Sequence, residues 1–499
     1  MSWASILPVA NAVDRAFAAA QRDQRATQID LLCRIIAENR DTEFGRAHQF
    51  ATIAGIDDYR RAVPLMPADN FVPWVQRIAA GEPNILTRAP VVAFERTSGT
   101  ATGGRLVPYT AASLAAFRHA VLPWLADLAR RRPGITRGRL YASISPATRP
   151  AMQTASGIPI GLDSDAAYLG EDLVAPFLAL LAVSPSLGRM EDVDAWRIAT
   201  LAQLIEAADL SFVSVWSPTF LVELVEAIPS NGDAIAARLG PEARRRLAEA
   251  MRTGQLDTAR LWPMLDCISC WTDGASARFA RSLAAHFPGV AIDPKGLLAT
   301  EAAITLPHGD GVGAVTAVMS SVVEYIDPSG EAHLCDTLES GVPYRVAVTT
   351  PGGLYRYAIG DVVICTSVER GIARLRFEGR DGVTSDLVGE KLDDAFVSSV
   401  LDGVAPGCAL VPEDSPARYA LWIDARLDDA VLRSIAARVD TSLRANPHYD
   451  YARTLGQLGA VVAYSRPGFM LDVTRRKMAA GARLGDVKPV GLLLRGDVP

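Results

Sequence analysis

The sequence has little of what several large classes of protein require. Its 499 residues contain only six cysteines, scattered through apolar segments. That scatter indicates reduced thiols rather than a disulfide framework. Cys267 and Cys270 form a CxxC pair, but no second ligand pair accompanies them. Buried thiols on a strand are therefore favoured over a zinc site.

Long apolar runs and blocks of positive charge are also missing. No run reaches the roughly 18 residues that span a bilayer. No basic residue precedes the short apolar stretch near the N-terminus, so we expect neither a signal peptide nor a membrane anchor. The net charge is −6, and the basic clusters at 244–246 and 475–477 suit solvated helix faces. These features argue against nucleic-acid binding and predict a cytoplasmic protein.

Hydrophobic residues, in contrast, make up 49% of the chain, which is enough for a large core. Their spacing predicts a helical stretch over 9–40 and a second helix over 110–130, with Thr110 as its N-cap. Between 285 and 366, β-rich runs alternate with Gly, Pro and Asp turns. The alternation of helices and strands predicts an α/β fold.

After a polar, glycine-rich stretch at 379–390 the pattern restarts. It predicts three helices, over 391–402, 428–444 and 468–480, and strands over 418–425 and 458–464. We therefore predict a large N-terminal domain, residues 1–383, whose β-sheets are flanked by helices. A small, mobile α+β domain, residues 384–499, follows a hinge near 381–390.

One segment, TSGTATGGR at Thr97–Arg105, concentrates glycines and hydroxyl residues between an apolar run and the helix over 110–130. Glycine lets a backbone approach an anion, and backbone N–H groups and hydroxyls can donate to phosphate oxygens. The lysine of the common P-loop is absent. On this evidence alone, a phosphate-binding loop and a flexible polar turn both remain open.

Three further polar residues stand out from apolar surroundings. Glu301 is the only acid in GLLATEA (296–302), and its carboxylate is a hard oxygen ligand suited to Mg²⁺. Asp361, in LYRYAIGDVV, could accept hydrogen bonds from both hydroxyls of a ribose. Lys488, in the tail RLGDVKPV, is a mobile cation that could reach a carboxylate or a phosphate. Taken singly, each is also compatible with an ordinary surface or turn residue.

The order of these segments and their amino-acid sequences, taken together, are more specific for a protein family than any single segment is. SCWTDGA, GLLATE and GLYRYAIGDV follow one another, with VPWVQRIAAGEPNILT (72–87), TSGTATGGRLVPYT (97–110) and FEGRDGVTSDLVGEKLDDAFV (377–397) around them. Together they resemble the plant auxin-responsive acyl-acid amido synthetases and their bacterial relatives. That family belongs to the adenylate-forming superfamily, and the resemblance covers nearly the whole chain.

The resemblance implies an enzyme that uses ATP and Mg²⁺ to convert a small carboxylic acid to an acyl-adenylate. The acyl group would then pass to an amine, expected to be an amino acid. Glu301 would be the metal ligand and, with Lys488, a catalytic residue. The implied ATP-binding residues are Thr97, Ser98, Gly99, Thr100, Thr102, Gly103, Thr300, Tyr355, Asp361 and Arg380. Trp271, Thr272 and Asp273 would line the adenine and acyl pockets.

Some positions depart from the family pattern. Ala302 replaces an expected glycine, and Leu297–Thr300 replaces the tyrosine and serines of plant members. No group that the chemistry requires is lost, but plant substrate identity does not transfer. The segment 110–225 is expected to form the acid pocket, and its apolar composition favours an apolar acid, although a generic core has the same composition.

Two other functions remain open from the sequence. An adenylate-forming enzyme could use a thiol acceptor, such as coenzyme A or a carrier protein, and a non-catalytic relative could bind the acid alone. No histidine lies in the motifs, so no general base for the amine stands out. The acid, the amine and the oligomeric state are not identified.

Overall fold

The computed structural model describes residues 3–97, 105–142, 152–162, 165–380, 384–388, 390–405, 407–479 and 487–493. Helices pack on several sheets in this part of the chain, which confirms the α/β fold. The α-helices, in chain order, are α1 (Trp3–Ala20), α2 (Gln24–Asn39), α3 (Glu43–Ala47), α4 (Ile56–Ala62), α5 (Val72–Ala79), α6 (Ala111–Arg131), α7 (Glu171–Leu178), α8 (Val193–Glu206), α9 (Pro218–Glu226), α10 (Gly232–Ala236), α11 (Pro241–Ala250), α12 (Thr258–Leu261), α13 (Ala277–His286), α14 (Asp394–Val400), α15 (Asp429–Leu443), α16 (Pro447–Thr454) and α17 (Phe469–Ala479).

Within the described residues, the strands belong to five sheets of two to eight strands. In chain order they are β1 (Met66–Pro67), β2 (Ala93–Arg96), β3 (Leu106–Tyr109), β4 (Arg139–Ala142), β5 (Met152–Gln153), β6 (Pro159–Ile160), β7 (Leu210–Ser214), β8 (Cys267–Cys270), β9 (Ala291–Pro294), β10 (Thr305–Pro307), β11 (Ala314–Thr316), β12 (Val322–Ile326), β13 (Ala332–His333), β14 (Pro343–Thr349), β15 (Tyr357–Glu369), β16 (Ile372–Arg380), β17 (Thr384–Ser385), β18 (Leu392–Asp393), β19 (Cys408–Asp414), β20 (Ala417–Ile423) and β21 (Val462–Ser465).

Two helices occupy the segment predicted as one helical stretch over 9–40. A 3₁₀ turn at Gln21–Asp23 separates α1 from α2, because the carboxylate of Asp23 accepts a hydrogen bond from the Ala26 N–H and caps α2. The helix predicted over 110–130 is confirmed as α6. Its N-cap is Thr110, whose hydroxyl accepts from the Ser113 N–H at 3.2 Å.

The smaller of the two main sheets is parallel, with the order β4-β7-β8-β9. Every residue of β8 is buried, which confirms Cys267 and Cys270 as buried strand thiols. Helices connect the strands, as parallel pairing requires. The carboxyl ends therefore share one edge, where ligands bind in open α/β sheets. Ser214, Trp271 and Lys295 stand at or just beyond that edge.

The larger sheet is mostly antiparallel, with the order β10-β11-β16-β15-β14-β12-β13, and β1 pairs with β15. Its long central strand β15 has alternating burial, typical of a sheet with two unlike faces. α2 packs beside β12, where the side-chain amide of Gln28 donates to the carbonyl groups of Val318 and Ser321. This sheet carries Asp361 and Arg380 on neighbouring strands.

The C-terminal part of the chain has a sheet of its own, β19-β20-β21, and a separate buried cluster that includes Leu410, Leu421 and Leu443. The helices α14, α15 and α17 and the strands β20 and β21 lie in or close to the ranges predicted for them; β19 was not predicted. A domain boundary between 383 and 384 stays a prediction. Across the described residues, no helix is both long and apolar enough to cross a membrane.

Candidate active site

A buried carboxylate on the larger sheet anchors the site. Asp361 on β15 lies directly opposite Arg380 on β16. Asp361 is fully buried, and its Oδ1 accepts a hydrogen bond from Arg380 Nε at 2.9 Å. Its Oδ2 is also buried and has no hydrogen-bond partner among the described residues. A buried acceptor without a partner is costly, so a ligand that donates hydroxyl groups suits this atom.

A second carboxylate, Glu301, lies near this pair at the tip of a tight turn. The Ala299 N–H donates to the Ala302 carbonyl at 3.0 Å, which closes the turn. Gly296 enters it with φ +74°, and a Cβ there would lie 2.6 Å from the Thr305 carbonyl oxygen. Only glycine fits such a position without displacement.

Two tyrosine hydroxyls fix the Glu301 turn. Tyr357 donates to Glu301 Oε1 at 3.2 Å, and Tyr109 donates to the Thr300 carbonyl at 2.6 Å. Burial raises the pKa of Glu301, and the nearby Asp361 charge raises it further, whereas Arg380 and the Tyr357 hydroxyl oppose the shift. The site therefore holds a carboxylate that a nearby cation would favour in its ionised form.

The two tyrosines of the LYRYA segment lie in different surroundings. Tyr355 is fully buried, its ring stacks on Phe44 at 4.7 Å, and its hydroxyl donates to the Leu86 carbonyl. The structure thus places Tyr355 in the core, whereas Tyr357 contacts Glu301. An ATP-binding role for Tyr355 stays a prediction, and the geometry favours Tyr357. One feature of the sequence could have identified Tyr357: it lies closer to Asp361 along the chain than Tyr355 does.

The loop after β8 joins the site from the parallel sheet. Trp271 packs against Trp216 with ring centroids 6.0 Å apart. Asp273 Oδ2 accepts from the Phe377 N–H on β16 at 3.2 Å, and burial raises the pKa of this carboxyl. Thr272 adds a long contact to the same carboxylate, at 3.5 Å. The loop is thereby tied to the strand that ends at Arg380.

The tail segment 487–493 brings Lys488 to the same loop. Lys488 Nζ lies 5.5 Å from the centroid of the Trp271 ring. Arg278 holds the tail by donating to the Val490 carbonyl at 3.0 Å. On the other side, Asp394 Oδ1 accepts from the N–H groups of Gly491 and Leu492 at 2.9 and 2.8 Å. The lysine that the sequence singled out is therefore fixed beside the loop after β8.

The glycine-rich segment is described only at its two ends. Thr97 and Arg105 form a closed base: the Thr97 N–H donates to the Arg105 carbonyl at 2.9 Å, and the Arg105 N–H donates to the Thr97 hydroxyl at 3.0 Å. Arg105 also pairs with Asp69. The remaining residues predicted to bind phosphate lie outside the described part of the chain: Ser98, Gly99, Thr100, Thr102 and Gly103.

Known proteins resemble this chain over most of its length. A putative indole-3-acetic acid-amido synthetase GH3.10 of Oryza sativa subsp. japonica is 26% identical over 409 residues, covering 76% of this chain and 82% of that protein. A probable indole-3-acetic acid-amido synthetase GH3.12 of the same organism is 22% identical and covers 94% of this chain and 91% of its own length.

Solved structures share the fold. The AtGH3.15 acyl acid amido synthetase in complex with 2,4-DB superposes with a TM-score of 0.84 at 17% identity, covering 96% of this chain and 94% of that one. A 2-hydroxyisobutyryl-CoA ligase in the postadenylation state gives a TM-score of 0.58 at 12% identity, covering 95% and 90%.

Two domains of a known protein family match this chain. The GH3 family N-terminal domain matches residues 14–292, more than half of the chain, and the GH3 family central domain matches residues 319–380. The second range contains Asp361 and Arg380, and the first contains the loop after β8. The resemblance carried by the sequence motifs is thus confirmed: this chain belongs to the GH3 family.

Proposed function

We propose that this protein activates a small carboxylic acid with ATP as an acyl-adenylate and transfers the acyl group to an amine, an amino acid, with release of AMP and pyrophosphate. The observation that carries the proposal is the incompletely bonded buried carboxylate of Asp361 beside a second carboxylate, Glu301. The loop that contacts the tail lysine is tied to β16, the strand of Arg380, through Asp273. Membership in the GH3 family and the amido synthetase activity named for its relatives support it.

Nucleotide binding would begin at Asp361. Its Oδ2 can accept a hydrogen bond from a ribose hydroxyl, while Arg380 donates to Oδ1 and orients the carboxylate. The glycine-rich loop, including Thr97, would donate backbone and hydroxyl hydrogen bonds to the phosphates. Thr300 and Tyr357 flank Glu301 and would complete the wall of the nucleotide site.

The donor set also fits a magnesium ion. Glu301 offers one half-buried carboxylate with a raised pKa, and Mg²⁺ is typically held by one or two carboxylates together with substrate phosphates. When bound, the ion would neutralise phosphate charge and polarise the α-phosphoryl group. A bound cation would in turn lower the pKa of Glu301 and favour its carboxylate form.

Lys488 would act at the reacting centre. Attack of an acid carboxylate on the α-phosphorus brings two anions together, so the site must supply positive charge. The tail that carries Lys488 is held beside the loop after β8 by Arg278 and Asp394. Its ammonium group is a compact positive charge that could interact with a carboxylate or a phosphate.

Transfer to the amine would require a change of access, because acyl-adenylates hydrolyse easily and water must be excluded until the amine arrives. We propose that residues 384–499 form a lid that rotates about a hinge near 381–390. The contacts that such a rotation would break include those of Arg278, which donates to Cys408 Sγ and the Val490 carbonyl, and the ion pair between Arg281 and Asp402. Lids of this kind commonly set the turnover rate.

The test is acid-dependent exchange of pyrophosphate into ATP, without amine, over a panel of indole-acetic, benzoic, fatty and hydroxy acids. Exchange with one class would establish adenylation. Lys488→Ala is expected to reduce exchange by about 30- to 1,000-fold, the effect of losing one preorganised donor. Arg475→Ala is the control, because it removes a cation whose side chain is 69% exposed from the same C-terminal unit.

Product analysis then identifies the acceptor. Amino acids and coenzyme A are offered separately with the acid that supports exchange. An amide product would support the proposal, whereas a thioester alone would assign a thiol acceptor. Folded protein that binds ATP but exchanges with no acid would point to a non-catalytic acid-binding relative.

A further inference from the structure

One arginine of α13 reaches into the C-terminal part of the chain. Arg278 is only 5% exposed. It donates to Cys408 Sγ, at the start of β19, at 3.2 Å and to the Val490 carbonyl in the tail at 3.0 Å. Val490 is two residues from Lys488, and two residues of extended chain span at most about 7 Å. Arg278 therefore holds the tail close to the lysine that would act at the reacting centre.

The tail is joined to the two parts of the chain at adjacent residues. The Leu410 N–H on β19 donates to the Gly491 carbonyl at 2.7 Å, and the Leu493 N–H donates to the Leu410 carbonyl at 2.9 Å. These bonds attach residues 491–493 to the C-terminal sheet. Val490 comes directly before them, and its carbonyl is bonded to α13 instead. A separation of the two parts would thus release the tail on the side that leads to its lysine.

The contacts of Arg278 lack a direct ion pair. Cys408 Sγ and the Val490 carbonyl carry no formal charge, and hydrogen bonds to them are weaker than bonds between two ionised groups. Taking a guanidinium group out of water also has a large cost. Burial lowers the pKa of Arg278, and the nearby carboxylate of Asp394 is among the groups that oppose the shift. A contact of this strength suits an interface that opens and closes.

We propose that Arg278 is a positioning residue for activation of the acid: it keeps Lys488 at the loop after β8 during the attack on ATP, and it is not needed for the later transfer to the amine. The inference rests on the proposed function, because Arg278 would act through Lys488. Loss of the bond to Val490 would let the tail leave Trp271, and a displacement of about 1 Å can cost about 100-fold in rate. Transfer would follow rotation of the lid, when Arg278 and Val490 are apart.

The first test measures the two half-reactions separately. ATP–pyrophosphate exchange reports activation, and amide formation from a synthetic acyl-adenylate and an amino acid reports transfer alone. Arg278→Met is expected to lower kcat for exchange at least about 10-fold. The KM for ATP and the rate of transfer should stay within about 2-fold of the wild type. An equal loss in both half-reactions would indicate general damage and overturn the inference.

Two further variants on α13 control for docking and for folding. Arg281→Met removes an ion pair with Asp402 in which the side chains are 57% and 52% exposed, so exchange should change by less than about 2-fold. Should Arg278→Met fail to fold, Arg278→Lys keeps the buried cation but lacks the planar fork that serves two acceptors. It should lower exchange at least about 3-fold without affecting transfer. Wild-type exchange in a folded Arg278 variant would contradict the positioning role.

A double variant tests whether Arg278 acts through Lys488. Exchange by Arg278→Met combined with Lys488→Ala should match exchange by Lys488→Ala alone within about 2-fold, because an absent lysine cannot be positioned. Radiolabelled pyrophosphate gives the sensitivity that these slow variants need. Effects that multiply would give Arg278 a role independent of Lys488, against the inference.

Lysine labelling separates this inference from the proposed function, because it needs no substrate. The chain has four lysines, so the acetylation rate of each can be followed by mass spectrometry. Lys488 is half-buried and Lys391 is exposed. In Arg278→Met, acetylation of Lys488 relative to Lys391 should rise at least about 3-fold, because the reagent reaches a side chain that opens more often.

The outcomes of labelling and exchange are distinct for the two ideas. Faster labelling of Lys488 in Arg278→Met, with no exchange for any acid in the wild type, would contradict adenylation and leave the positioning role standing. Exchange in the wild type, with exchange and labelling both unaltered in Arg278→Met, would support adenylation and overturn the role of Arg278.

Discussion

Two buried carboxylates on the larger sheet differ in how many of their oxygen atoms accept hydrogen bonds. Glu324 on β12 is 1% exposed, and both of its oxygens accept hydrogen bonds: Oε2 from Arg356 at 2.8 Å, and Oε1 from Arg356 at 3.2 Å and from Arg60 at 2.9 Å. Asp361 on β15 is equally buried, but only one of its oxygens is bonded within the described residues, to Arg380.

The arginines that pair with these two carboxylates also differ in exposure and in hydrogen bonding. The side chain of Arg356 is 7% exposed and also donates to the backbone carbonyls of Arg60 and Val63, whereas that of Arg380 is 39% exposed. A buried ion pair with every oxygen occupied has no capacity for a ligand. A buried pair with one free acceptor and a solvent-facing cation has such capacity. The comparison teaches that incomplete bonding, rather than burial or charge, distinguishes the site from the scaffold.

The largest effect is expected on stability, at the ion pair between Glu324 and Arg356. Glu324→Gln leaves Arg356 as a buried charge without a counterion, so the free energy of unfolding should fall by about 3–5 kcal/mol. Urea denaturation followed by circular dichroism measures this change. Thermal or chemical stability equal to that of the wild type would show that the Glu324 network does not differ from the site pair.

The corresponding substitution at the candidate site, in Asp361, should lower activity rather than stability. Asp361→Asn should lower ATP–pyrophosphate exchange about 100-fold, because the carboxylate that we propose to bind the ribose loses its charge. The free energy of unfolding should change by less than about 1 kcal/mol, since Arg380 retains access to solvent. A variant that unfolds as readily as Glu324→Gln would instead place Asp361 in the scaffold.

The pH dependence of ATP–pyrophosphate exchange tests whether the candidate site needs Glu301 in its ionised form. Its folded pKa is raised, so exchange should fall as the pH decreases through that pKa and the carboxylate becomes protonated. The Tyr357 hydroxyl stabilises the ionised form, so Tyr357→Phe should move this acidic limb to higher pH. An acidic limb that stays in place in the variant would separate Tyr357 from the titrating group.

The smallest effect is expected at the other tyrosine. Tyr355→Phe removes the hydrogen bond to the Leu86 carbonyl, and the free energy of unfolding should fall by about 1 kcal/mol with exchange unaffected. Phenylalanine keeps the stacking on Phe44. A marked rise in the KM for ATP in this variant would return the nucleotide-binding role to Tyr355.

Much of this arrangement could be anticipated from the sequence, because the motifs around Glu301, Asp361 and Arg380 have distinctive residue types at a fixed order along the chain. The family, the α/β fold and α6 with its Thr110 cap all followed from such local patterns. What is local in sequence can be predicted from local chemistry.

The distinction between Tyr355 and Tyr357 could not be anticipated in this way. Arg356 lies between them with φ +45°, a left-handed conformation that costs a non-glycine residue about 1–3 kcal/mol. It is held there by its ion pair with Glu324, which lies on another strand. A conformation that depends on a partner so distant in sequence leaves no trace in the segment itself, and the same holds for Lys295 between Trp124 and Trp216.

The contact between Lys488 and Trp271 has a consequence for how this protein can be observed. Trp216 and Trp271 are two of the eight tryptophans in the chain, and their ring centroids lie 6.0 Å apart, with Lys295 beside one ring and Lys488 beside the other. A cation near an indole shifts its emission, so displacement of Lys488 from Trp271 would change the intrinsic fluorescence. Docking of the tail segment 487–493 against the loop after β8 could thus be followed in real time without attaching a dye to the protein.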